Sequence, residues 1–407
     1  MKIALVSEHA SPLAVLGGDD AGGQNVHVAE LARGLGRLGA EVVVHTRRDD
    51  PALDRRVPFA PNVVVDHVTA GPPEPLPKDE LWPHMGAFAE DLATTWTFDR
   101  PDAVHSHFWM SGYAALEAAR TVDVPVLHTF HALGSEKRRQ QGAADSSPLQ
   151  RLEVERCIAR QADALVATTS AEAAELVSMG ADPDRVVVIP CGVDLERFRP
   201  RTGPSAAVSG VDGRRRPRIV AASRLVPRKG IADLVRALRL VPEAELVIAG
   251  GSPGALVLDD VEGARLHQLA EDLGIAERVK LIGAIPREAM PDLLRSADVV
   301  ACCPWYEPFG MVAVEAMACG VPVLATAVGG LAETVVPGET GTLVTPRDPQ
   351  AIAIGLRDLL AHDDGRRRMG RAAARRARGY GWDDIARRTM DVAADQSARR
   401  QTPEVMS

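Results

Sequence analysis

Short runs of aliphatic and β-branched residues alternate along this chain with longer stretches whose apolar side chains recur every three or four positions. That alternation is the signature of parallel strands covered by helices, so the pattern predicts an α/β protein. In the first half the strand-like runs fall at 3–7, 41–46, 63–68, 103–105, 126–129, 164–168 and 185–189. Helical spacing fills 24–38, 78–95, 110–120, 148–160 and 171–179, with Gly39 and Gly180 placed as C-terminal caps. Across 201–217 the periodicity gives way to Gly, Pro, Ser, Ala and clustered Arg, the composition of a linker. Strand-like runs resume at 218–222, 245–248, 279–282, 298–301, 321–325 and 342–344. The second half therefore repeats the first. The expected division is a doubly wound domain over 1–200, a linker over 201–217, a second doubly wound domain over 218–378, and a C-terminal helix with a tail over 379–407. That last helix is free to cross back to the first domain. Such sheets bind ligands beyond the carboxyl ends of their strands, so function is expected in a cleft between the two domains.

Composition narrows the classes. At roughly 150 residues per average domain the 407 residues suit two large domains or three small ones, and 46% hydrophobic with 25% charged residues excludes wholesale disorder. A net charge of −8 argues against a general nucleic-acid binder. The five cysteines are scattered without metal-ligand spacing, which predicts a reducing compartment and no metal site. The apolar run at 3–6 meets Glu8 and His9 too soon for a signal peptide, and no segment is apolar for long enough to span a bilayer. A cytoplasmic protein is expected. The Arg-rich stretch 366–378 has mainly alanines on its other face, so it reads as a solvated helix face and not as a membrane contact. The oligomeric state is open, a homodimer included.

Three elements carry chemistry. After the first strand comes Gly17-Gly18-Asp19-Asp20-Ala21-Gly22-Gly23-Gln24-Asn25, at the start of a helix. Glycines there let a phosphate approach backbone N–H groups, although the same residues also make a flexible turn. The element matches neither the P-loop nor the dinucleotide fingerprint. The second half opens with Ser223-Arg224-Leu225-Val226-Pro227-Arg228-Lys229-Gly230, again between strand and helix. Arg224 as a planar fork and Lys229 as a point charge can grip one diphosphate from two sides, whereas loop arginines taken singly are usually solvated. The third element is Pro304-Trp305-Tyr306-Glu307-Pro308-Phe309-Gly310-Met311-Val312-Ala313-Val314-Glu315. Pro308 and Gly310 mark a helix start, which turns the amides of Phe309, Gly310, Met311 and Val312 toward phosphates. Phosphates repel carboxylates, so Glu315 fits the paired hydroxyls of a ribose and Glu307 those of a second sugar, although either glutamate taken singly reads as a surface residue and only the pair, eight apart around a helix start, points to sugars.

Together, Arg224 with Lys229, Glu307 with Glu315 and the Gly22-Gly23 loop resemble the retaining GT-B glycosyltransferases of family 4, over nearly the whole chain. Within that family, Asp20-Ala21-Gly22-Gly23-Gln24-Asn25-Val26 and His105-Ser106-His107-Phe108-Trp109 resemble the mycothiol-pathway inositol-phosphate glycosyltransferases and, more distantly, the sucrose-phosphate synthases. The resemblance implies two Rossmann-like domains, a nucleotide diphosphate sugar held by the second, an acceptor held mainly by the first, retention of configuration, and no obligatory metal or cofactor. UDP is the default nucleotide over GDP. It further implies that Arg224 and Lys229 neutralise the leaving diphosphate, that the Gly23 N–H touches its distal phosphate, and that Glu315 and Glu307 bind ribose and donor sugar. His131 falls beside the anomeric centre, where it would orient the sugar, and Lys137 matches a lysine of the family. Without the family, His131 reads as a core histidine, and at least one of His105 and His107 as a packing residue.

On the acceptor side His9, Asp20, Asn25, Lys78 and Arg151 fit the inositol-phosphate pattern, and Phe108 and Ala132 depart from it. The relatives carry a tyrosine and a threonine there, whose hydroxyls help hold the acceptor phosphate. Two lost hydrogen bonds to an anion amount to roughly 3–6 kcal/mol, enough to change acceptor choice. The expected reaction is hexosyl transfer to a small polyol, sugar or sugar phosphate. The competing readings are a sugar-nucleotide epimerase on the same scaffold and a non-catalytic nucleotide-sugar binder.

Overall fold

The computed structural model describes residues 1–14, 22–142, 145–200, 216–251, 254 and 257–401. Two compact units emerge, one from the described residues up to Cys191 together with those from Trp382 onward, the other spanning Gly192–Gly381. Residues 192–200, assigned to the first domain by the sequence pattern, cluster here with the second unit.

The first unit is built on one sheet. Its strands are β1 (Lys2–Val6), β2 (Glu41–Arg47), β3 (Arg56–Ala60), β4 (Val63–Val68), β5 (Ala103–His107), β6 (Val126–Thr129), β7 (Ala164–Ala167) and β8 (Val186–Val188), in the order β3-β4-β2-β1-β5-β6-β7-β8. All pairings are parallel except β3 with β4. The parallel strands are aliphatic because both faces are covered. Phe88, Trp96, Trp109 and Phe130 fill the core. The edge strand β3 escapes the sequence pattern because Pro58 interrupts its alternation, and proline is tolerated at a sheet edge.

Two helices also differ from expectation. The run at 78–95 divides into 3-10 turns at Lys78–Glu80 and Trp82–His84 before the helix Met85–Phe98, because Pro77 and Pro83 remove N–H donors from its first part. A helix at Gly134–Gln141 has no apolar stripe to announce it.

The helix Trp382–Gln401 belongs to the first unit. It lies on the helix Gly23–Arg37, where Gly34 permits the approach: a Cβ there would stand 2.7 Å from that of Ala386. Ile385, Ala386, Thr389 and Ala393 of this helix are buried, Ala393 in a cluster with Ala103, Leu127 and Ala164. Ion pairs from Arg37 to Asp383 (2.6 Å) and from Arg400 to Asp163 (2.8 Å) mark its two ends.

The second unit carries β9 (Arg218–Ala222), β10 (Glu245–Ala249), β11 (Val279–Gly283), β12 (Val299–Cys302), β13 (Val323–Thr326) and β14 (Gly341–Val344), all parallel, in the order β11-β10-β9-β12-β13-β14. In both units the strand order reverses beside the first strand, between β1 and β5 and between β9 and β12. Those switch points are where doubly wound sheets hold ligands. The helix over Asp363–Ala377 buries Gly370, Ala372, Ala373 and Ala377, and two of its arginines are engaged: Arg366 with Asp298 (3.0 Å) and Arg376 with the Thr334 carbonyl (2.9 Å). The stretch read as a solvated face is therefore solvated only in part. Among the described residues no helix is long and apolar enough to cross a membrane.

Candidate functional site

In the second unit, the loops leaving β9 and β12 flank the switch point and carry the predicted donor residues. Arg224 follows β9, and the 3-10 turn Pro227–Lys229 ends at Gly230, which is left-handed (φ 66°) and caps the helix Ile231–Leu238. A Cβ at Gly230 would overlap the carbonyl oxygen of Cys303 in the loop after β12. Trp305 N donates to the Arg228 carbonyl at 2.8 Å, so the two loops are locked together. Lys229 Nζ pairs with Glu307 Oε2, both largely buried. Burial, and then the like charge of Arg224, lower the Arg228 guanidinium pKa, with Glu307 opposing. Arg224, Arg228, Lys229 and Glu307 thus form one charged cluster.

The helix Met311–Ala318 starts at Gly310, also left-handed (φ 94°), as the Pro308 and Gly310 punctuation predicts. Its first amides have no acceptor within the helix. Phe309 is buried, 6.0 Å from the Tyr380 ring. Glu315 lies on the buried side of this helix, 1% exposed, its pKa raised by burial against the opposing pull of Arg287. Arg287 Nη2 stands 2.5 Å from Glu315 Oε1 as its ion-pair partner. The sequence reading did not find Arg287, which is 28 positions away on another loop with no local signal.

In the first unit, the loops after β1, β5 and β6 meet around the Phe108 ring. Phe108 itself holds a left-handed φ of 80°, rare for a non-glycine residue, as does His131 (φ 60°). His9 packs edge-on against Phe108 (4.9 Å), Lys78 Nζ lies 5.6 Å from the ring centre and the Arg151 guanidinium 5.1 Å. Arg151 Nη2 donates to the Ala132 carbonyl at 2.6 Å. Lys137 joins through Ser147, whose hydroxyl accepts from Lys137 Nζ (2.9 Å) and Arg151 Nη1 (3.2 Å). Five acceptor residues named from the sequence (His9, Lys78, Phe108, Ala132 and Arg151), with Lys137, are therefore neighbours. Asn25 stands at the start of the helix Gly23–Arg37, accepting from Gly22 N (2.9 Å) and donating to the Ser11 carbonyl (3.1 Å). Asp20 and residues 17–19 and 21 of the glycine loop lie outside the described residues, as does most of the linker.

Carboxylates that the sequence reading passed over complete this cluster. Glu8, fully buried, accepts from the Ser111 hydroxyl and touches His9 Nδ1 at 2.6 Å. Glu155 takes Arg151 Nε at 2.8 Å and the Gly134 N–H, and burial raises its pKa. Asp145 pairs with Lys137 at 3.0 Å, and Ser146 donates to Asp79 at 2.6 Å.

His131 sits on a stack of imidazoles. His107 Nδ1 is 3.0 Å from His131 Nε2, His27 meets His131 edge-on at 4.8 Å, and Trp382 meets His27 at 5.3 Å. Burial keeps His105, His107 and His131 far below the ordinary histidine range and lowers His27 to about 4 and His128 to about 3. Ring nitrogens of His27, His107 and His131 lie within 4.8 Å of one another, a group that could receive a metal ion. The 3.0 Å contact places one proton between His107 Nδ1 and His131 Nε2. Both His105 and His107 are wholly packed within β5.

Comparison with known proteins decides what such a pair of sheets is. Residues 21–197 match the family described as Glycosyltransferase Family 4, and residues 211–376 match Glycosyl transferases group 1. The chain is a GT-B glycosyltransferase of family 4. It is 40% identical to a D-inositol 3-phosphate glycosyltransferase of Streptomyces coelicolor, over 98% of this chain and 93% of that protein. A protein of the same name from Xylanimonas cellulosilytica is also 40% identical, over 98% of each chain. Among solved structures, a sucrose-phosphate synthase from Thermosynechococcus elongatus superposes with a TM-score of 0.88 at 31% identity, over 98% of this glycosyltransferase and 99% of that chain.

Proposed function

We propose that this glycosyltransferase moves a hexosyl group from a UDP-sugar to a hydroxyl of a small polyol, sugar or sugar phosphate, with retention of configuration and without an obligatory metal. The observation that carries the reading is the cluster of Arg224, Arg228, Lys229 and Glu307 at the switch point of the second sheet, next to the helix that bears Glu315. Relatives named for inositol 3-phosphate and sucrose phosphate support a small hydroxylated acceptor.

In this reading the acceptor oxygen bonds to the anomeric carbon as the bond from that carbon to the phosphate oxygen breaks. The nucleoside diphosphate leaves, and the acceptor proton passes to it. Negative charge grows on the departing phosphate, where fixed cations and helix amides stabilise it most. Arg224 and Lys229 take that role, with the N–H groups of Met311 and Val312. Glu307 exchanges its Lys229 partner for the hexose hydroxyls, and Glu315 holds the ribose. His131 is neutral at pH 7, so it orients the sugar as a hydrogen-bonding group and not as a cation.

The test is calorimetric titration of UDP- and GDP-sugars into the wild type, Lys229→Ala and Glu315→Gln, with circular dichroism to confirm folding. Binding of a UDP-sugar, weakened at least about tenfold by each change, is the expected result, since each removes about 1.4 kcal/mol or more of charged hydrogen bonding. Unchanged affinity in both folded variants would sink the donor assignment. Anomeric proton couplings in the product report retention directly.

A further inference from the structure

We infer that His107 is a positioning residue for the transfer: its hydrogen bond to His131 Nε2 fixes that ring in one orientation and one tautomer, and leaves Nδ1 as the nitrogen His131 offers to the donor hexose. The inference rests on the transferase reading above, in which His131 orients the sugar, and names the residue that orients His131.

The backbone places His131 first. It stands at the centre of a three-residue turn, closed by the Ala132 N–H on the Phe130 carbonyl at 2.7 Å, with its left-handed φ of 60°. A turn of that hand is strained for any residue but glycine, and the strain persists only where the surroundings over-determine it. The turn carries His131, half-buried, past the packed end of β6, where Thr129 and Phe130 are buried. Its ring still has a choice, because the terminal torsion of histidine is broad and admits two flips that exchange the ring's edges. His107 makes that choice. The ring centres are 5.2 Å apart, the planes differ by 30°, and Nδ1 of His107 is 3.0 Å from Nε2 of His131. The contact therefore runs nearly along the line between the rings, as an in-plane hydrogen bond requires. His27 closes against the His131 ring edge-on at 4.8 Å.

The other buried imidazoles are spent elsewhere. His105 Nε2 meets the Thr129 hydroxyl at 2.9 Å and His128 Nδ1 the Ser106 hydroxyl at 2.8 Å, both contacts tying β5 to β6. Among the described residues His107 alone hydrogen-bonds to the His131 ring, and His131 Nδ1 has no partner. His107 is itself immobile, fully buried in β5, with its Nε2 packed against groups that neither donate nor accept. Burial keeps both rings neutral at pH 7, so each holds one proton and the contact holds one of the two. Whichever ring supplies it, Nδ1 of His131 takes the role opposite to that of Nε2, and a sugar oxygen meets a group of fixed position and fixed hydrogen-bonding sense. Removing the His107 nitrogen frees the ring to flip and to exchange tautomers.

The experiment compares the full-length enzyme with His107→Phe, which keeps a buried ring, and His107→Asn, whose amide returns a hydrogen-bonding atom near the place of Nδ1. With the nucleotide sugar and acceptor that the wild type turns over, His107→Phe should lower kcat about tenfold or more, while the Kd of free UDP and the acceptor KM stay within about threefold. His107→Asn should recover most of that loss. Nitrogen-15 NMR of histidine-labelled enzyme reads the contact without turnover, the His131 signals being those lost in His131→Gln. Wild-type His131 should show one protonated and one bare nitrogen at pH 7, and His107→Phe should average the two. An unchanged kcat in folded His107→Phe, or His131 signals that do not move, overturns the inference. Equal losses in the Phe and Asn variants would give His107 a packing role only, and overturn it too. Absence of transfer from every nucleotide sugar by the wild type would instead sink the transferase reading, with the NMR measurement still deciding whether His107 sets the tautomer.

Discussion

His27, His105, His107, His128 and His131 are held neutral by burial in one small region, which ties the stability of the first unit to pH. Their folded pKa values lie below the unfolded value of 6.5, so between that value and the folded one the unfolded chain binds more protons. Stability is then complete above about pH 6.5 and falls as pH drops toward 4. His27 alone, lowered to about 4, accounts for roughly 3 kcal/mol of that loss. Urea unfolding at pH 7, 6 and 5 should show a steeply declining midpoint, and His27→Phe should flatten the decline. A pH-independent midpoint over this range would show the imidazoles to be solvated. The same residues mark how far single positions can be read. Arg151 and Glu155, four apart on a helix, were pairable from spacing alone. Glu315 with Arg287, or His131 with His27, come together only through the fold, and nothing within a local window announces them.

At the scale of elements, the donor site depends on two loops held in register by Gly230. Alanine at that position meets both a left-handed φ and the Cys303 carbonyl, so Gly230→Ala should destabilise the protein by roughly 2–4 kcal/mol. Because Lys229 is the neighbouring residue, nucleotide-sugar affinity should fall more than thermal stability alone explains. A thermal scan with and without UDP-sugar separates the two effects, and an unshifted midpoint would mean that the loops move apart freely. The parallel strands were legible because aliphatic runs two faces deep have few other uses; β4, β6 and β9 fall at their predicted bounds. The edge strand β3, with its proline, and the polar helix Gly134–Gln141 were not, since neither contributes a continuous apolar face. The helix expected over 78–95 loses its first part to Pro77 and Pro83, whose effect outweighs the apolar spacing there.

For the whole molecule, the first unit is a sheet whose covering is completed by the helix Trp382–Gln401, after the chain has traversed the second unit. A chain stopping at Gly381 should leave the Gly34 face of the helix Gly23–Arg37 and the core around Ala103, Leu127 and Ala164 uncovered. It should aggregate or bind a hydrophobic dye at temperatures where the full chain is native, and a peptide of residues 382–401 added in trans should reduce the dye signal. A truncated chain as soluble and as thermostable as the full one would show that helix to be dispensable.

That closing helix also sets an order of events at the ribosome. The first unit cannot be finished until residues 382–401 have been made, whereas the second holds its own strands well before that. Any pause or premature release before those residues emerge therefore harms the first unit, and chaperone demand should centre on a nascent sheet waiting for its lid.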